Sequence, residues 1–112
     1  MRALIVTPIF PPEIGGPATY SKELAEELTE RGHDITVVAL AEEELTKVPG
    51  IPIVSVRLGK GTIGRQLRLL RALFREVRLK DLVYCQGGVD VGLSAYFISR
   101  LLRRPFAVKF VG

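Results

Sequence analysis

Five apolar runs, separated by segments of mixed polarity, predict the strands of a β-sheet. The runs are Ala3–Thr7, Ile35–Leu40, Ile53–Leu58, Leu82–Cys85 and Phe106–Val111. Most are continuous stretches of Val, Ile and Leu rather than alternating sequences, which is typical of strands covered on both faces. The pattern therefore favours a parallel sheet between layers of helices.

Three intervening segments have helical periodicity. The first is bounded by Pro17, which suits the first helical position, and Gly32, which suits a helix stop. Its apolar face consists of Tyr20, Leu24, Ala25 and Leu28, with Glu23, Glu26, Glu27 and Glu30 largely opposite. The second helix is predicted from about Gly64 to Leu79. The third is predicted from near Asp90, a favourable N-cap, to Arg103.

This order of elements predicts an α/β fold with one doubly wound parallel sheet of about five strands. Right-handed crossovers favour the strand order 3-2-1-4-5. The segment 41–52 is an acidic connector without an obvious helix. The first strand would lie centrally, beside the switch point where such sheets bind ligands at the carboxyl ends of their strands.

The loop between the first strand and the first helix is the leading candidate for an anion site. Helix N-termini present bare amide groups and partial positive charge, and glycines let a phosphate approach the backbone. We therefore expect Gly15, Gly16 and Thr19 to bind a phosphate, with a flexible turn as the alternative. The loop lacks the Lys-Ser/Thr ending of a P-loop. It is also too long and proline-rich for the Gly-x-Gly-x-x-Gly fingerprint.

A second glycine pair follows the fourth strand. Gln86, Gly87 and Gly88 are candidates for hydrogen bonds to a ligand hydroxyl, although Gln86 also fits an ordinary neutral loop residue. Glu13 in the first loop could approach such a hydroxyl. No catalytic triad, carboxylate pair or metal constellation can be assembled from the sequence, so we expect no metal requirement and leave the catalytic residues unassigned.

Size and composition narrow the class of protein. The chain has 112 residues, of which 47% are apolar and 25% charged, consistent with a single globular domain. One cysteine, Cys85, excludes an internal disulfide and a zinc cluster, and its apolar surroundings predict a buried strand thiol. No apolar stretch approaches the roughly 20 residues that cross a bilayer. We expect a cytoplasmic protein, with peripheral contact at the inner membrane face as a possibility.

The net charge of +4 is concentrated in the second helix. At about 100° per residue, five arginines fall within an arc of about 140°. They are Arg65, Arg68, Arg71, Arg75 and Arg78, with Leu67, Leu70, Leu73, Phe74 and Val77 opposite. Either the arginines are solvated while the apolar side packs on the sheet, or they touch anionic lipid. Nucleic acid fits less well, because no aromatic residues interleave with the basic ones.

Several of these segments resemble a known family. The Pro-Pro-x-x-Gly-Gly loop ending at Gly16, the run Glu30–Val38, the run Lys80–Gln86 and the run Pro105–Gly112 resemble retaining, nucleotide-sugar-dependent glycosyltransferases of family 4. The resemblance implies a Rossmann-like N-terminal domain of a GT-B enzyme, with residues 1–112 forming part of it. It implies a nucleotide-sugar donor, held mainly by a second domain, and a lipid-linked or saccharide acceptor. On this resemblance, the donor phosphate would bind at Gly15, Gly16 and Thr19. The sugar or an acceptor hydroxyl would bind at Glu13, Gln86, Gly87 and Gly88.

The chain departs from the family pattern at two positions. Members often carry a histidine where this sequence has Gln86, and another, contacting the donor sugar, where it has Val111. Separately, the resemblance implies that both domains must close on the donor, so we expect residues 1–112 alone to lack transferase activity.

The sequence also bears on two other classes of function, a self-associating module and a dinucleotide-binding module. An autonomous module that self-associates through exposed apolar surface or a sheet edge remains an alternative. A cofactor-binding dinucleotide module is disfavoured, because the fingerprint glycines and the later ribose-binding acid are missing.

Overall fold

The computed structural model describes residues 1–7, 16–41, 47–57, 62–86 and 89–109. These residues form five strands and three helices. In chain order they are β1 (Arg2–Thr7), α1 (Gly16–Glu30), β2 (Asp34–Ala41), β3 (Ile53–Arg57), α2 (Thr62–Val77), β4 (Leu82–Gln86), α3 (Val89–Leu101) and β5 (Phe106–Lys109).

All five strands join one parallel sheet in the order β3-β2-β1-β4-β5. The predicted fold class and strand order are therefore confirmed. The central strand β1 is flanked on both sides, with Val6 opposite Val38 of β2 and Cys85 of β4. Every residue of β1 after Arg2 is buried, which explains why this run is continuously apolar.

Alternating side chains send two separate sets of apolar residues to the two faces of the sheet. On one face, Leu4 and Val6 of β1 pack in a core that includes Leu69, Leu73 and Val77 of α2 with Ala95 and Ile98 of α3. On the other face, Ala3 and Ile5 pack in a core with Ala25 of α1. The helices thus cover both faces, as the doubly wound arrangement requires.

The connector between β2 and β3 covers the same face of the sheet as α1. Val48 and Ile51 are buried against the same core as Ala25 and form an antiparallel bridge around a tight turn. Gly50 has a φ of 80° in this turn, a conformation that favours glycine. Residues 47–52 contain no helix, as expected, and the rest of the acidic segment lies outside the described residues.

The ends of α1 and α3 use the same hydrogen-bonding motif with different residues. At the end of α1, the amide of His33 donates to the carbonyl of Leu28, and Gly32 has a φ of 91°. At the end of α3, the amide of Arg104 donates to the carbonyl of Ser99, and Arg103 has a φ of 57°. Both are Schellman motifs, so the glycine stop expected after α1 is confirmed.

Three predicted helix boundaries are corrected. Helix α3 begins at Val89, so Asp90 lies inside the helix and is not its N-cap. It ends at Leu101, because the left-handed backbone of Arg103 terminates it before the predicted residue. Helix α2 ends at Val77, because the amide of Leu79 bonds to the carbonyl of Glu76 in a tighter turn.

The packed face of α2 is also corrected. Leu73 and Val77 are buried, but Leu67 and Phe74, which the sequence placed on the packed face, are 62% and 45% exposed. These two residues lie about 100° or more around the helix from Leu73, so they point past the stripe that meets the sheet.

Candidate functional site

The carboxyl ends of β1 and β4 lie side by side at the centre of the sheet. Val6 is aligned with Cys85, so the next residues, Thr7 and Gln86, end the two strands next to each other. From β1 the chain winds toward β2 and β3, whereas β4 leads outward to β5. This is the topological switch point, the position at which doubly wound sheets bind their ligands.

The predicted site residues are only partly described. Glu13, Gly15, Gly87 and Gly88 lie outside the described residues. Gly16 is the first residue of α1, and Thr19 lies in its first turn with an exposed side chain. Thr19 and the strand end at Gln86 therefore belong to elements that meet at the switch point. Their contacts with a donor phosphate or a sugar stay predictions.

Three buried polar side chains line the underside of this region. Thr7, Ser21 and Gln86 are at most 1% exposed. The Ser21 hydroxyl donates a hydrogen bond of 3.1 Å to Oε1 of Gln86. Because Leu82 and Tyr84 of β4 face α1, Gln86 reaches the same face through the two-residue period of the strand. The contact holds α1, near its N-terminus, against the end of β4.

The N-terminus of α1 is electrostatically suited to an anion. The first turn of the helix contains no acidic residue. Nothing in that turn therefore opposes the partial positive charge of the helix dipole. A phosphate oxygen approaching Gly16 would meet no side chain of that residue, because glycine has no Cβ.

Tyr84 adds a phenol to the same face of the sheet. Burial raises the pKa of Tyr84 to about 12, and a hydrogen bond with Tyr20 of α1 acts in the same direction. Both the tyrosine and the nearby Gln86 are uncharged at neutral pH. These groups can orient hydroxyl or phosphate oxygens by hydrogen bonding, but they do not supply an acid–base pair.

Sequence reasoning missed Ser21, Thr7 and Tyr84. For Ser21 a signal was present, since it lies four residues before Ala25 and thus continues the buried stripe of α1. A hydroxyl in a buried stripe requires a partner, and here that partner is Gln86. Thr7 and Tyr84 read as ordinary strand residues, so only the register and the packing of α1 relate them to the site.

Cys85 faces away from this cluster. Its thiol is fully buried among the residues under α2 and α3, and burial raises its pKa to about 11. The predicted buried strand thiol is confirmed. A protonated, inaccessible thiol does not act as a nucleophile at neutral pH.

The arginines of α2 lie on the other side of the sheet from α1. Arg68, Arg71, Arg75 and Arg78 are exposed, whereas Arg65 is half-buried. The guanidinium of Arg68 folds back toward Gly64, and Nε of Arg78 donates to the carbonyl of Arg75 at 3.4 Å. The basic face exists as predicted, but it lies on the other face of the sheet from Ser21 and Gln86.

The described residues contain neither a cluster of metal ligands nor a helix that could span a membrane. Within the described ranges, no three His, Cys, Asp or Glu side chains come together as metal ligands. The helices of those ranges include none that is both long and apolar enough to span a bilayer.

A family model for the glycosyl transferase 4-like domain matches residues 15–112. The chain therefore belongs to the glycosyl transferase 4-like domain family, as its sequence motifs suggested. A comparison with curated protein sequences finds no match.

Solved structures with the same fold include two of unlike function. The UDP-GlcNAc 2-epimerase of Methanocaldococcus jannaschii superposes with a TM-score of 0.70 at 15% identity, covering 96% of this chain and 31% of its own. The C-terminal domain of a hydrogenase from Pyrococcus furiosus superposes with a TM-score of 0.65 at 16% identity, covering 96% of this chain and 90% of its own. At these identities the likeness shows the Rossmann-like fold alone. The chain spans about a third of the epimerase.

Proposed function

We propose that this chain is the acceptor-side part of a retaining glycosyltransferase that moves a sugar from a nucleotide-sugar donor to an acceptor hydroxyl. The observation that carries the proposal is the meeting of the α1 N-terminus with the end of β4 at the switch point, fastened by Ser21 and Gln86. Family membership supports the reaction class. The two together favour a diphosphate ligand at Gly16 and Thr19, rather than at any other edge of the sheet.

The role proposed for the α1 N-terminus is to stabilise charge. When the bond between sugar and nucleotide breaks, negative charge develops on the leaving diphosphate. Fixed amide dipoles at a helix N-terminus are already oriented toward that charge. Stabilisation of developing charge by such preorganised groups is usually the largest contribution to catalysis. Ser21 and Gln86 would act as positioning residues, because their hydrogen bond fixes where the helix begins.

Transfer would require a second domain in addition to this one. The polar groups gathered at the site, Thr7, Ser21, Tyr84 and Gln86, are neutral, so they can orient a substrate without carrying out proton transfer. Closure of two domains aligns the reactants and excludes water. We therefore expect residues 1–112 to bind a nucleotide sugar weakly and to have no transferase activity by themselves. No metal enters this proposal.

The test is a titration of the isotope-labelled chain with diphosphate sugars of uridine, guanosine and adenosine, followed by amide chemical shifts. We expect millimolar affinity and shift changes at Gly16, Thr19 and Gln86. Free nucleoside, which lacks the diphosphate, should leave the Gly16 and Thr19 amides unchanged.

A pair of matched substitutions at Thr19 distinguishes the effect of side-chain charge on diphosphate binding from the effect of side-chain shape. Thr19→Glu places a carboxylate in the first turn and should weaken diphosphate binding about fivefold, whereas Thr19→Gln should change it little. Shift changes confined to α2 and α3, or equal effects of the two substitutions, would contradict the proposed site. A sub-micromolar affinity would contradict the need for a second domain.

A further inference from the structure

The large exposed apolar side chains of the described residues are concentrated on two neighbouring helices. On α2 and α3, seven such residues are between 45% and 77% exposed. They are Ile63, Leu67 and Phe74 of α2 with Leu93, Tyr96, Phe97 and Leu101 of α3. Burying these side chains would be favourable, and most of them are aliphatic.

These residues border one continuous surface. Helices α2 and α3 lie side by side on the same core, and the Ser94 hydroxyl of α3 donates to Oε1 of Gln66 on α2 at 3.0 Å. Ile63 lies one turn before Gln66, and Phe97 lies one turn after Ser94. Both helices run antiparallel to the strands, because each connects two parallel strands. The seven side chains therefore lie on the outer surface of this helix pair, which we call the α2–α3 seam.

Positive charge flanks the seam on both sides. On α2 the exposed basic residues are Arg68, Arg71 and Arg75, followed by Arg78 just after the helix ends. Arg100 lies in the last turn of α3, and Arg103 follows that helix. Glu76 is the only acidic residue of α2. Long arginine side chains can lay their apolar stems along a surface while their guanidinium groups reach outward. The surface thus combines aliphatic groups with a dense row of cations.

We propose that the α2–α3 seam docks on an anionic phospholipid membrane. Both helices lie flat on the sheet, so about 20 Å of each can contact a planar surface at once. The aliphatic residues would enter the boundary between head groups and acyl chains, and the arginines would meet lipid phosphates. This inference stands independently of the proposed transferase function.

The charge and the apolar residues of the seam favour an anionic membrane over a second copy of the chain or a nucleic acid. A second copy seated on the same seam would bring two rows of arginines together, which is unfavourable. Nucleic acid would satisfy the arginines but would leave Ile63, Leu67 and Leu93 without an apolar environment. An anionic bilayer satisfies both features of the surface.

The test is co-flotation of the 112-residue chain with vesicles of phosphatidylcholine alone or mixed with phosphatidylglycerol. We expect binding to the mixed vesicles that weakens with added salt, and little binding to phosphatidylcholine alone. The double variant Arg71→Gln/Arg75→Gln should bind the mixed vesicles about 10- to 30-fold more weakly. A matched control, Lys22→Gln/Arg31→Gln, removes the same charge from α1 and from the residue that follows it, on the opposite face of the sheet. This control should bind as the unmodified chain does.

A second double variant tests how much the exposed apolar side chains contribute to vesicle binding. Leu67→Ser/Phe74→Ser alters two exposed side chains, so the fold should persist, which circular dichroism checks. This variant should bind mixed vesicles at least tenfold more weakly and leave the residual binding more salt-sensitive. Three results would overturn the proposal. They are no binding to mixed vesicles, equal loss in the Lys22/Arg31 control, and a dimer in sedimentation that Leu67→Ser/Phe74→Ser abolishes.

Discussion

The hydroxyl of Ser21 donates a hydrogen bond to the side-chain oxygen of Gln86 across 65 positions of sequence, and both residues are buried. This contact joins a helix that follows the first strand to the end of the fourth strand. It lies under the point where the winding of the sheet reverses direction. The polar pair thus makes the position of the α1 N-terminus depend on the position of β4.

Replacing Ser21 tests this relationship directly. Ser21→Ala removes a donor from the buried oxygen of Gln86, and we expect the free energy of unfolding to fall by about 1–3 kcal/mol. Ser94→Ala removes a similar hydrogen bond to Gln66 at a less buried position and should cost about 0.5–1.5 kcal/mol. Urea unfolding of both variants measures the difference. Equal losses would mean that the buried contact contributes no more than the outer one.

The corrected face of α2 leads to a contrast between two leucines. Leu73 is fully buried, so Leu73→Ala should lower the free energy of unfolding by about 2–5 kcal/mol. Leu67 is mostly exposed, so Leu67→Ala should stay within about 0.5 kcal/mol of the unmodified chain. Thermal or urea unfolding gives both values. A large loss of stability in Leu67→Ala would indicate instead that Leu67 is packed, as the sequence pattern predicted.

The two Schellman motifs predict opposite effects of glycine and a larger residue. Arg103 adopts a left-handed backbone, so Arg103→Gly should stabilise the chain by about 0.5–1 kcal/mol. Gly32→Ala should destabilise it by about 1 kcal/mol. The added Cβ at Gly32 would have no atom within 4 Å, so this cost is one of backbone conformation rather than collision. The same sign in both unfolding experiments would contradict the assignment.

Alkaline pH should reveal the buried phenol. The pKa of Tyr84 is raised from 10.0 to about 12, so its stabilising contribution is complete below pH 10 and is lost as pH rises toward 12. Absorbance of ionised tyrosine should show a late titration step near pH 12. Tyr84→Phe should remove that late step and flatten the loss of stability between pH 10 and 12. A late step that persists in the variant would assign it to another tyrosine.

Much of the fold could be predicted from local patterns. The continuous apolar runs, Gly32 after α1 and the sequence of strands and helices were sufficient for a parallel sheet in the observed order. Boundaries were less well predicted, since Asp90 has the side chain of an N-cap but lies inside α3. For the site, the pattern indicated Gly16, Thr19 and Gln86. The pairing of Gln86 with Ser21 needed the three-dimensional structure, because the two lie on separate elements.

The sequence by itself determined which segments form strands and helices and that the strands are covered on both faces. Hydrophobic periodicity is a local property of the chain, so it can be read residue by residue. Only the tertiary structure decided which apolar residues of α2 are buried, because a flat sheet meets a narrower stripe of a helix than its apolar residues span. It also decided that Thr7, Ser21 and Gln86 share one buried polar cluster, since parallel register and helix packing bring together residues that no spacing relates.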